Sequence, residues 1–405
     1  MSLTIALSGI DAATANLNTT SNNIANVSTT GFKSSTAEFS DLFSVSPYGV
    51  SSTEIGNGVR VAGINQQFGQ GNITTTADNL DLAISGQGFF VTKDSGALQY
   101  TRNGAFSTDQ NGFVQTSAGA KLQVYPPNGS GGFNTGTLTN LQLTTGQSAP
   151  QATANVGLTL NLASSDTPPA TAVFNPADST SYNNATSMTV YDSLGAAHTA
   201  SLYFVKSATA NQWTTHLAID GTAVGAGQPL AYSTTGALTT PASGNVTFAA
   251  YTPATGAAAM NMTFNFAQST QYGANFAVTS VTQDGYTTGQ LSGINVSSTG
   301  VVQAQYTNGQ TTSLGQVAMA TFANDQGLQQ LGNTSWAQTF SSGQALQGQA
   351  GNGGLGLVQS GALESSNVDL TAQLVNMITA QRDFQANSQA ISADNQDTQA
   401  ILNIR

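Results

Sequence analysis

Residues 1–32, MSLTIALSGIDAATANLNTTSNNIANVSTTGF, set Leu3, Ile10, Leu17 and Ile24 seven residues apart, with Ala6, Ala13, Thr20 and Val27 as a companion series. An apolar repeat averaging about 3.5 residues marks a narrow seam along one side of a helix. The far end repeats the interval in Leu370, Met377, Phe384 and Ile391, while its companion series Leu374, Gln381, Ser388, Asn395 and Leu402 is apolar only at its extremes. Two terminal helices are expected. Asn367 is read as the N-cap of the second, with Asp369 in its first turn where the helix dipole favours a carboxylate. Gly31 is read as the stop after the first.

These helices are poor candidates for independent stability. Residues 1–32 hold one charge, Asp11, and many Thr, Asn and Ser, which have weak helix propensity and form no charged i,i+4 pairs. The seams can pair within one chain or pack against other copies, and heptads alone do not choose. Disordered ends in a free subunit would open Lys33 and Arg382 to trypsin.

Between the ends, short runs of β-branched and aromatic residues alternate with polar ones and are divided by turn dipeptides, so the middle is read as β-rich. Asn103-Gly104, Asn111-Gly112 and Asn308-Gly309 are expected hairpin turns. Strands are expected over 158–162, 187–191, 202–205, 213–219, 262–266 and 317–322. A boundary is suggested near Gly146 to Pro150, with Asp284-Gly285 as the return point, so 148–284 reads as an insertion. The fold class is therefore mainly β with α-helical termini: coiled-coil-like N- and C-terminal helices plus nested β-rich outer domains.

Composition excludes several functions. Only 7% of residues are charged, against about 25% in an ordinary soluble domain. The net charge of -11 offers no basic footprint for nucleic acid or anionic lipid. The absence of cysteine removes disulfides and thiolate chemistry. Met1 to Ile10 has no basic n-region, so no cleaved signal peptide is expected, and nothing approaches a membrane span.

No catalytic, cofactor or metal site emerges either. Asp78 and Asp81 read as a turn and strand entry rather than an acid/base pair. His198 and His216 lack metal-ligand spacing and read as surface or packing residues. Gly86-Gln87-Gly88 precedes a strand, whereas phosphate loops open onto a helix. Trp213 and Trp336 read as core.

Asn22-Asn23-Ile24-Ala25-Asn26-Val27-Ser28-Thr29-Thr30-Gly31-Phe32-Lys33 resembles the N-terminal signature of the flagellar rod, hook and hook-associated axial proteins. Gly361-Ala362-Leu363-Glu364-Ser365-Ser366-Asn367-Val368-Asp369-Leu370, followed by Met377-Ile378-Thr379-Ala380-Gln381-Arg382-Asp383-Phe384, resembles the family's other end. Gly88-Phe89-Phe90-Val91 and Tyr100-Thr101-Arg102-Asn103-Gly104-Ala105-Phe106 resemble its shared middle domain. The motif positions carried over are Asn23, Ile24, Ala25, Asn26, Gly31, Phe32, Lys33, Asn367, Val368 and Asp369.

The resemblance implies a non-enzymatic subunit of an extracellular helical homopolymer, exported without a cleaved signal peptide. Leu3, Ile10, Leu17, Ile24, Val27, Leu370, Leu374, Met377, Phe384, Ile391 and Leu402 then become assembly surfaces. It implies a terminal helical core over 1–27 and 367–405, a linking segment over 28–71 and 358–366, a common β-rich domain over 72–147 and 285–357, and the outer insertion over 148–284. Length favours a hook-type member, a curved tube carrying torque from motor to filament, over a distal-rod member. The implied partners are further copies of the chain, the distal rod, the hook cap, the hook-length control protein and the hook-filament junction protein. A secreted adhesin would explain the turns but not the paired terminal motifs.

Overall fold

The computed structural model describes residues 2–42, 56–143 and 146–402. Helix α1 spans Ser2–Ala25 and helix α2 spans Leu370–Leu402, and everything described between them is strand, turn, irregular loop or one of two short 3-10 turns. The chain divides into two compact units. One comprises Met1–Thr145, Gly293–Gln305 and Thr311–Arg405, and the other Gly146–Ser292 with Tyr306–Gln310.

In the first unit, strand Thr311–Thr321 organises the sheet. It pairs antiparallel with Val301–Tyr306, Lys121–Tyr125, Phe89–Asp94 and Leu346–Gln349. Side chains alternate across a strand, and here both faces are covered. Val317 and Met319 enter one core with Phe90, Leu122 and Val124, whereas Ala318 and Ala320 enter a second with Phe89, Val91, Tyr125 and Trp336.

The expected turns divide into two kinds. Asn111-Gly112 and Asn308-Gly309 do close antiparallel hairpins, with their glycines at φ +80°. Asn103-Gly104 does not: Ala97–Thr101 before it pairs with Phe89–Asp94 and Ser335–Ala337, while Phe106–Thr108 after it pairs with Val114–Thr116. Gly104 is there for a close backbone approach, since a Cβ would strike the carbonyl of Leu82.

The second unit is built on one apolar core between two sheets. Asn184–Tyr191, Ala197–Lys206, Gln212–Ile219, Gln228–Tyr232 and Leu238–Thr240 form an antiparallel meander. Asn155–Ala163 anchors the other sheet, parallel to Thr263–Asn265 and Thr270–Tyr272 and antiparallel to Ala277–Gln283. Leu158, Leu160 and Leu162 from this strand meet Leu202, Phe204, Trp213 and Leu217 from the meander.

His198 joins three loops at one end of that core. Its Nδ1 lies 2.6 Å from Asp220 and its Nε2 3.3 Å from Asp192. Tyr251 donates to Asp220, and Thr255 to Asp192. Burial opposes the charged ring, but hydrogen bonds and charge from Asp220 and Asp192 outweigh it, so the imidazole pKa is raised. Desolvation likewise opposes charge on both aspartates, and their hydrogen bonds outweigh it, so their pKa values are lowered. A raised His pKa contributes stability below about 6.5 that is lost as pH climbs through the folded value, and lowered Asp pKa values contribute stability lost as pH falls. Melting of this unit, followed by calorimetry against pH, should therefore drop on the alkaline side of 6.5. His198→Asn should flatten that limb.

Candidate functional site

The residues that tie the chain ends to the first unit are charged, in a chain with little charge. Lys33 and Glu364 are 1% and 0% exposed at the side chain, and Lys33 Nζ lies 2.6 Å from Glu364 Oε1. Arg102 Nη1 lies 3.1 Å from Glu364 Oε2. The backbone adds further bonds: Lys33 donates to Gly69 O, Arg102 donates to Gly86 O, and Gly71 N–H donates to Glu364 Oε1, while Arg102 Nε has no hydrogen-bond partner among the described residues. Desolvation lowers the Lys33 pKa even with Glu364 favouring the charged form. Removing Glu364 would leave two buried cations without their counter-ion, at a cost of about 3–5 kcal/mol.

Glycine lets these segments meet. Gly31 adopts φ +68°, donates its N–H to Glu364 O at 2.8 Å, and would place any Cβ 2.6 Å from Asn103 N. Gly71 presses on the carbonyl of Ser365 in the same way. Any side chain at either position would push the three segments apart.

The motif asparagines act as backbone clamps. Asn23, 1% exposed, donates to Ser35 O and accepts from Ser35 N–H, so its amide pairs with the chain as a strand would. Asn26 donates to Asn22 O and accepts from Thr29, holding the turn after α1. Asn367 is not the N-cap the sequence suggested. It accepts from Ser34 N–H and donates to Gln67 O and Gly69 O, while Asp369 caps α2 by accepting from Thr371 N–H and Ala372 N–H. The carboxylate sits where two free amides of the first turn converge, and the amide of Asn367 is needed elsewhere. Val368 bonds Ser366 Oγ through its N–H, and Phe32 O accepts from Asn367 N–H.

α1 also ends earlier than its pattern implied. Ala25 is its last residue and Ile24 its last half-buried apolar one, so Val27 lies in the following turns and Gly31 beyond them. β1 (Ser35–Asp41) and β2 (Val59–Gln66) then pair antiparallel and pack on α1.

The two helices run antiparallel: Asn23 bonds Gln373, and Gly9 abuts Asn387, fourteen residues away on each helix in opposite order. Ala6, Ala13, Thr20 and Asn23 are buried on α1, and only Ala380 is buried among the described side chains of α2. The larger apolar residues lie elsewhere. Leu3 is 44% exposed, Leu370 43%, Leu374 45%, Ile378 51% and Phe384 40%. Ile10, Leu17, Met377 and Ile391 are half-buried, and the side chain of Leu402 lies outside the described residues.

Two of the junction's three charged residues escaped the sequence reading as site residues. Arg102 and Glu364 stood inside the motif blocks, and scarcity of charge was the available signal. Their partners lie 262 and 331 positions away in the chain, a pairing that no local pattern encodes. Lys33 is buried at the junction, so cutting there requires the junction to open, whereas Arg382 is exposed on α2.

Nothing described resembles a reaction centre. A cavity of about 480 Å³ lies beside the junction, lined by Asn22, Asn26, Thr29, Phe32 and Trp336 among others, but Lys33 at its wall is already committed to Glu364. Among the described residues no group of His, Asp and Glu is placed to hold a metal, and no helix is long and apolar enough to cross a membrane.

Four family models match in chain order. Residues 3–33 match the flagella basal body rod protein, 83–157 the flagellar hook protein FlgE/F/G D1 domain, 159–286 the flagellar basal body protein FlaE D2 domain, and 359–404 the flagellar basal body rod FlgEFG protein C-terminal. Paired terminal helices tied to a β unit by one junction, together with these matches, mark an axial protein of the flagellum. Flagellar hook protein FlgE of Salmonella typhimurium and of Escherichia coli K12 are each 39% identical, with 100% of both chains covered. The protein of the same name from Borreliella burgdorferi is 31% identical over 100% of this chain and 99% of that one. This chain belongs to the flagellar hook protein FlgE family, whose members are structural proteins and not enzymes. The crystal structure of Helicobacter pylori FlgE2 shares the fold, with a TM-score of 0.53 at 13% identity, covering 72% of this chain and 100% of that one.

Limited trypsin digestion should cut at Arg382 and spare Lys33. Glu364→Gln should lower stability by about 3–5 kcal/mol in denaturant melts and open Lys33 to cleavage. An unchanged digest of that variant would contradict the junction.

Proposed function

We propose that this chain polymerises with copies of itself into the curved, flexible tube of the hook, which transmits motor torque to the filament. The observation that carries this reading is the inverted helix pair. Between α1 and α2, Asn23 bonds Gln373 and Gly9 abuts Asn387, while Leu3, Leu370, Leu374, Ile378 and Phe384 remain exposed. Exposed apolar residues grouped on one element mark an interaction surface. Copies of the same helices, packed in coiled-coil fashion, would cover them.

In this reading the terminal pair over 1–27 and 367–405 forms the inner tube. Segments 28–71 and 358–366 link it to the common β domain over 72–147 and 285–357, and 148–284 is the outer insertion. Scarce charge suits the arrangement, because identical subunits crowded together would repel wherever each carried the same charge. Export to the cell exterior without a cleaved signal peptide, and end contacts with the distal rod, hook cap, hook-length control protein and hook-filament junction protein, belong to the same proposal.

Phe384→Asp tests it. The side chain is 40% exposed in the single chain, so monomer melting should stay within ~0.5 kcal/mol of the parent. Polymer should be lost, because each subunit would bury an unpaired carboxylate. Sedimentation and thermal melting together read both arms. A destabilised monomer would assign the seam to internal packing instead.

A further inference from the structure

Phe340 is 103% exposed, the most exposed of the described large hydrophobic residues. It stands in the loop between strands Ser335–Ala337 and Leu346–Gln349, and that loop is braced. Thr339 Oγ1 accepts from Ser341 N–H and Ser342 N–H and donates to Gly327 O. Ser342, fully buried, donates to Thr339 O and accepts from Thr339 N–H. From below, Asn324 donates its backbone N–H to Ser342 O and its side-chain amide to Ser341 O, and Gly327 packs so closely on Ser341 that it has no room for a Cβ. Gly343 at φ +74° turns the chain back, donating to Phe340 O. With both flanks of the turn tied, the backbone cannot swing the ring into the unit's own core.

We propose that Phe340 is a preformed knob that inserts into an uncharged apolar recess on a second copy of this chain. A rigidly presented aromatic docks with little loss of conformational freedom, which is how a single side chain comes to dominate an interface. The surroundings choose the partner. From Gln326 to Leu363 there is no Lys, Arg, His, Asp or Glu, and Asp325 in the bracing turn is half-buried, so the knob's own tract of chain carries no charge to attract a charged macromolecule. With 7% of its residues charged, a second copy is itself a low-charge partner, and in a homopolymer it recurs at every subunit. The inference rests on the self-assembly proposed above.

The test uses the full chain. Because Phe340 is fully exposed, Phe340→Ser should leave monomer melting unchanged, while the concentration needed for polymerisation should rise by about tenfold or more. Phe340→Leu should recover most of the loss. A benzophenone side chain at position 340 should crosslink to a second copy within assembled polymer. If the unmodified chain forms no polymer, the self-assembly reading itself fails. If polymer forms equally well with serine at 340, or the crosslink captures a different protein, the knob assignment is overturned while self-assembly stands.

Discussion

Burying Glu364 with Lys33 and Arg102 is the constraint on which the rest depends. Three segments far apart in sequence can meet there only if all three charges arrive together, because any arrangement that separates them leaves a charge in a dry site. Such a set gives little net stability over an apolar equivalent, but it strongly penalises a wrong arrangement. The junction fixes where the chain leaves α1, where it enters α2, and how both attach to the strands that carry Arg102. Asn23, Asn367 and Asp369 complete the same task by satisfying backbone groups around it.

Attached at the junction, the helices need little from each other. Asn23 bonds Gln373, and Gly9 lets Asn387 approach closely. A stronger internal seam would have consumed the leucines, Ile378 and Phe384. Leaving them outward is costly for a solitary chain and useful for one whose neighbours carry the same helices. Weak propensity and few charges, which look like defects in α1, follow from the same demand.

Much of the fold was legible because it is written in local patterns. Heptads marked both helices, alternation marked Trp213–Ile219 and the strand through Val317, and Asn-Gly dipeptides marked two hairpins. Most of the misreadings share one cause, which is that long-range partners reassign a locally suitable residue, whereas the early end of α1 is set locally. Asn367 is a good cap by type, but Ser34, Gln67 and Gly69 engage it, and Asp369 takes the cap. Asn103-Gly104 is a good turn by type, but Leu82 needs the glycine for proximity. Val27 fits the heptad, yet the turns set by Asn26 and Gly31 end the helix first. His198 had no suspicious neighbours in sequence, and its two aspartates converge only through folded turns.

The central claim is that one rigid junction presents an apolar helix face for neighbours to cover. Helical reconstruction of the assembled polymer by electron cryomicroscopy tests it most directly. The account requires Leu374, Ile378 and Phe384 to be buried against helices of other subunits, with Lys33, Arg102 and Glu364 still in contact within each subunit. A tube in which those apolar side chains face solvent, or in which the three charges have separated, would contradict it.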